Sequence, residues 1–202
     1  MLRHIIQHRR GVKLLLSGSH TLEEFRRWSS YLINAQVVEL GYLEEGEARR
    51  LIETPIPDFP LRYEPAAVQQ VLALTSGHPY LVQLLCMEIV AHKNRQSPAQ
   101  RHLTTVADVE AAVPAMLVRG QQFFADIELN QVDATGRALL HWLAHQGAGS
   151  MVTVDQFPVN LPAAQLPQTV QQLVQRNLLQ ERKGAFGFAV EVVRQWFAQD
   201  AR

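Results

Sequence analysis

Apolar residues fall into two kinds of run along this chain. Near the N-terminus they are short and unbroken: VKLLLS at 12–17 and AQVVEL at 35–40. Runs of that length predict buried strands. Between them Phe25, Trp28 and Leu32 recur at helical spacing behind a capping box, Thr21 with Glu24. Residues 3–10 read as a helix end closed by Gly11. The first forty residues therefore predict a β-α-β unit with parallel strands. Two strands alone make a poor sheet, so this segment reads as the tail of a larger α/β domain cut before residue 1. Its exposed sheet edge predicts self-association.

From Gly41 the apolar spacing becomes helical. LEEGEARRLIET (43–54) carries Ala48, Leu51 and Ile52 and stops before Pro55-Ile56-Pro57. EPAAVQQVLALTS (64–76) has Pro65 in its first turn and Val68, Val71 and Leu72 on one face. Gly77 closes that helix, and Pro79 opens the next at its first position. The helix over 79–92 is apolar nearly all round, which predicts the centre of a bundle. A polar loop, KNRQSPAQRH, precedes a fourth helix opened by Thr105 or Asp108, with Pro114 kinking or ending it. VRGQQFFADIELNQV (118–132) reads as a linker.

The remaining pattern differs. ATGRALLHWLAHQ predicts a helix with Leu139, Leu140 and Leu143 inward, and TVDQFP a short helical turn. LPQTVQQLVQRN predicts a helix opened by Pro167. LLQERKGAFGFAV predicts a hairpin turning at Lys183-Gly184, and a closing helix holds Val193, Trp196 and Phe197. Three helices followed by a hairpin are the winged-helix arrangement. The fold class is thus mainly α with a small β component: residues 1–41 as the tail of an α/β core, 42–118 as a four-helix unit, and 119–202 as linker and winged helix.

Composition narrows the chemistry. Among 202 residues the formal net charge is +0, so no global basic field attracts nucleic acid or an anionic membrane. There is no apolar run of about 20 residues to span a membrane and no signal-peptide pattern. A single cysteine, Cys86, excludes an internal disulfide and fits a reducing, cytoplasmic setting. It reads as a core residue. His4 with His8, and His141 with His145, stand at helical i,i+4 spacing without a third ligand nearby in sequence, so no metal site is assigned. SGSH (17–20) lacks the glycine a nucleophile elbow needs.

The order of these parts resembles the C-terminal half of the AAA+/STAND class of signal-transduction ATPases of the archaeal and bacterial type. LLLSGSH looks like the family's strand ending in a polar sensor, LGYLEEGEARRLIETP like its strand-to-lid crossing, and TSGHPYLVQLLC like its lid motif Gly-x-Pro, with Gly77 and Pro79 matching. The resemblance covers essentially the whole chain. It implies that Gly77, His78 and Pro79 lean over the adenine and ribose of ATP or ADP, and that Ser17, Ser19 or His20 meets phosphate or the attacking water. It also allows an arginine finger among Arg9, Arg10, Arg26 and Arg27. Taken alone, Gly77-His78-Pro79 reads first as a tight helix-helix corner, and only the order of the parts favours a nucleotide corner; the serines read equally as a local turn.

The family's phosphate cradle is missing from this sequence. Lysines occur only at 13, 93 and 183, and none follows a Gly-x-x-x-x-Gly loop. GAGS at 147–150 has no lysine after it, and FFADIE is the nearest approach to an acidic strand end. ATP or ADP with Mg²⁺ is therefore expected only with an upstream P-loop domain, no catalytic residue is assigned, and the chain alone is expected to hydrolyse nothing. The expected function is nucleotide sensing by lid and winged helix, coupled to a protein effector or a full-length ATPase. Two alternatives stand: a non-catalytic interaction module, or a winged-helix DNA regulator. Arg176, Arg182 and Lys183 are too few cations for tight duplex binding.

Overall fold

In the computed structural model the described residues are 40–199, with positions 15 and 38 before them. The chain divides into two compact units, Met1–Leu40 and Gly41–Arg202. The strands expected at 12–17 and 35–40 and the helix between them lie outside the described residues, as do Ser17, Ser19, His20, the histidines at 4 and 8, and the four arginines.

The second unit is mainly helical with small sheets. Helix α1 (Glu45–Glu53) starts at a capping box in which Glu44 and Glu47 exchange bonds, and it buries Ala48 and Ile52. Helix α2 (Pro65–Thr75) has proline in its first turn and buries Ala67, Val68, Val71 and Leu74. Helix α3 (Pro79–Asn94) is the longest among the described residues and buries Leu81, Val82, Leu84, Leu85 and Ile89. Helix α4 (Val106–Arg119) lies against it. Two-residue strands β1 (Arg62–Tyr63) and β2 (Leu103–Thr104) pair in parallel and tie the loops before α2 and α4 together.

Buried polar contacts fasten the far end of α3 to the start of α4. Lys93 Nζ donates to Asp108 Oδ2 at 2.8 Å, Gln96 Nε2 donates to Asp108 Oδ1 at 2.7 Å, and the Thr105 backbone N–H donates to Oδ2 at 2.9 Å. Burial alone would raise the Asp108 pKa. Lys93, Thr105 and Gln96 outweigh it and hold the carboxyl well below the usual carboxylate range. Glu88, buried on α3, pairs with Arg119 at the end of α4.

The structure departs from the sequence pattern at two places. Pro114 lies inside α4, which continues through it to Arg119. The proline is exposed, while Val113, Met116 and Leu117 around it are buried, so packing holds the helix where one backbone bond is lost. The segment read as a linker is structured: helix α5 (Gln121–Asp126) runs into a π-helical turn at Ile127–Gln131, with Phe124 and Ile127 buried.

Helix α6 (Ala134–Ala144) is capped by Asp133, whose Oδ1 accepts from Gly136 N at 2.7 Å. Then come β3 (Val152–Thr153), a 3₁₀ turn at Val154–Gln156, helix α7 (Leu166–Gln175), β4 (Leu179–Arg182), β5 (Ala185–Phe188) and helix α8 (Glu191–Phe197). The three strands are antiparallel in the order β3-β5-β4. The β4-β5 hairpin closes on two residues with positive φ, Lys183 at 52° and Gly184 at 77°, as a two-residue type I′ turn requires.

One hydrophobic cluster runs from Ile52 in α1 to Phe197 in α8. Helix α8 packs on α6 and β5, and also reaches back to α2 and α4.

Candidate functional site

The corner between α2 and α3 turns on two successive left-handed residues, Ser76 at φ 49° and Gly77 at φ 73°. The helix therefore ends one residue earlier than the glycine: Ser76 is its cap, donating its N–H to Leu72 O at 2.7 Å. Gly77 is needed for a further reason. Its carbonyl accepts from Leu43 N at 2.9 Å, and a Cβ placed on it would meet Leu43 O at 2.6 Å. The segment before α1 is thus laid directly across the corner.

His78 caps α3 by its backbone, and Pro79 occupies the first helical position. The imidazole is half-buried between Tyr42, with ring centroids 5.0 Å apart, and Phe123, 5.5 Å away and edge-on. Phe123 also meets Tyr80 at 4.9 Å. Burial pulls the His78 pKa below its ordinary value, against a backbone hydrogen bond that raises it. Among the described residues Nδ1 is buried without a hydrogen-bond partner.

Beside this turn lies a cavity of about 220 Å³ lined by Leu43, Glu45, Gln69, Leu72, Ser76 and Gly77. That is below the roughly 300–1,000 Å³ of a complete small-molecule pocket. It suits one ring system of a ligand, not a whole nucleotide. No lysine or arginine lines it, and its one charged residue, Glu45, is tied to Arg49 at 3.0 Å. The lining thus carries no cation to hold a phosphate. A wider depression of about 560 Å³ at Glu88, Pro114, Ala115, Val118 and Arg119 offers one ion pair over an apolar floor.

Of the residues singled out in the sequence, Gly77 lines the cavity, while His78 and Pro79 do not, the His78 ring being packed between Tyr42 and Phe123. Leu43, Gln69, Leu72, Tyr42 and Phe123 were not legible as site residues. The adjacent phenylalanines in the supposed linker were the one usable signal. Gln69, a lone glutamine on an amphipathic helix, carries none.

The corner is joined to the last module. Ser76 Oγ donates to Ala189 O, just past β5, at 2.7 Å. Phe123 meets Phe124 edge-on at 5.3 Å, and Phe124 stacks on Trp196 of α8 at 5.2 Å and 16°. Trp196 Nε1 donates to Glu128 Oε2 at 3.1 Å, and Glu128 Oε1 lies 3.0 Å from His141 Nε2. His141 Nδ1 in turn lies 3.0 Å from Phe197 O, so both its nitrogens are engaged within the core. Among the described residues no cluster of three or more His, Cys, Asp or Glu side chains could hold a metal. Burial pushes the Cys86 thiol up to about 12, which removes it as a thiolate nucleophile.

On α7 the exposed residues are Pro167, Gln168, Gln171, Gln172 and Gln175. Arg176 is half-buried, and exposed Arg182 and Lys183 flank the hairpin beside exposed Glu181. No protein-family model matches the chain, and no curated protein matches it.

Proposed function

We propose that residues 41–202 are the lid and winged-helix half of a STAND-type AAA+ ATPase, with the cavity walled by Ser76 and Gly77 at the α2–α3 corner taking the base of ATP or ADP. Helices α1–α4 are the lid. The order helix, strand, turn, helix, hairpin and the sheet order β3-β5-β4 support a winged helix in the remainder. One observation carries the reading: Ser76 walls the cavity and also holds Ala189 of the last module. A ligand in the cavity and the position of that module thus share a residue. Nucleotide shifts such a device only if it binds one arrangement better than the other.

The phosphates and Mg²⁺ belong to a P-loop domain outside this chain, with Ser17 and Ser19 the candidate phosphate sensors. The chain alone hydrolyses no ATP. The neutral glutamine face of α7 suits a protein partner better than duplex DNA, whose affinity comes mostly from phosphate neutralisation.

The test is a heteronuclear NMR titration of the full chain with ADP, adenosine and inorganic pyrophosphate. ADP and adenosine are expected to bind at about millimolar strength, near 4 kcal/mol, and to shift the same amides in 42–45 and 69–80. Pyrophosphate is expected to leave those amides in place. Silence with both adenine compounds, or equal shifts from pyrophosphate, overturns the proposal.

A further inference from the structure

We infer that the outward face of α4 docks an amphipathic helix of a partner protein, one that carries an arginine or lysine opposite Glu88. The inference stands apart from the nucleotide corner. It begins with the spacing along α4, whose other face is buried in the core. Ala107, Ala111, Pro114 and Val118 are exposed and Ala115 half-buried, at i, i+4, i+7, i+11 and i+8. Those offsets trace one stripe along a helix. A helix with solvent on its outer face ordinarily carries polar residues there. This stripe carries none, and its Val118 is 71% exposed.

The second observation is a charge. The depression of about 560 Å³ opens between Pro114, Ala115 and Val118 of this stripe and Glu88 of α3. Glu88 is only 4% exposed. Arg119 Nε donates to its Oε1 from the rim, and no hydrogen bond reaches Oε2 among the described residues. A carboxylate withdrawn from water with one oxygen unmet favours a further charged donor. Arg119 itself stands largely in solvent, where pairing with an acidic partner is worth little. The buried carboxylate therefore sets the preference, and charge complementarity selects a basic residue. Apolar wall and buried acid together match helix-in-groove recognition, with apolar anchors on the stripe and one cation at Glu88. An acidic residue at the same place would meet like charge and be rejected.

Heteronuclear NMR titrations of the full chain with two amphipathic alanine-leucine helical peptides decide the matter. The peptides differ at one central position, arginine against glutamate. The arginine peptide is expected to shift amides in 84–91 and 111–119 and to bind at least about tenfold more tightly than the glutamate peptide. Glu88→Gln is expected to erase or reverse that preference. Val118→Ser, at an exposed position that leaves the core intact, is expected to weaken the arginine peptide about fivefold. Equal binding of the two peptides by the native chain, or a preference that survives Glu88→Gln, overturns the proposal. Concentration-dependent shifts of the same amides in the native chain alone would assign the face to a second copy and overturn it as well.

Discussion

Gly77 answers two demands at once, a left-handed φ of 73° and a backbone approach by Leu43 that leaves no room for a Cβ. Gly184 meets only the first, since nothing lies within 4 Å of its added Cβ. Gly77→Ala is therefore expected to cost about 2–3 kcal/mol, and Gly184→Ala about 1 kcal/mol. Thermal unfolding of the two variants checks the order. Equal losses would mean that Leu43 moves aside freely. Asp108 makes a residue-scale prediction about pH. Its folded-state pKa is depressed, so its contribution to stability is present above the ordinary carboxylate value near 4 and is lost as pH falls through the folded value. Asp108→Asn leaves Lys93 buried without its counter-charge and is expected to cost about 3 kcal/mol at pH 7. Urea unfolding at pH 7 and pH 3 should show the difference between native and variant shrinking in acid.

At the scale of elements, the periodicity carried most of helices α1–α4. Val68, Val71, Leu81 and Leu85 are buried as their spacing requires, and Pro65 and Pro79 open α2 and α3. The hairpin was legible in Lys183-Gly184. What was not legible is the segment 118–132. A short helix running into a π turn has no fixed period, so its apolar residues point to no single regular element. Its order comes from tertiary partners remote in sequence, above all Trp196 on Phe124 and His141 and Trp196 on Glu128. The same holds for β1 and β2, whose two-residue pairing no local pattern announces. Glu128→Ala frees two half-buried donors and is expected to cost about 1–3 kcal/mol. Hydrogen-exchange mass spectrometry should show the loss concentrated in α5, the π turn and α8. Unchanged protection in α8 would show that Glu128 does not hold that helix.

For the second unit as a whole, the sequence reads as a four-helix lid over 42–118 followed by a linker and winged helix over 119–202. One core continues from α1 to α8, and α8 packs against α2 and α4. Such a body is expected to unfold cooperatively. The most protected amides of α3 and of α6 are expected to share one opening free energy, and Ser76→Ala to lower both. Independent values would separate lid from module and remove the direct coupling proposed here. The site was legible only as far as its backbone. A glycine and a proline marked the corner, but the cavity's walls come from α1, α2 and the crossing segment, which the sequence does not bring together by itself.

That the turn at residues 76–79 faces a purine can be put to a single experiment. Photolabelling the chain with 2-azido-ADP, followed by peptide mass spectrometry, is expected to place adenosine-competable adducts within residues 41–49 and 69–80. Adducts confined to α7 or the β4-β5 hairpin, or labelling that adenosine does not compete, would contradict the nucleotide corner and leave residues 41–202 as a helical adaptor.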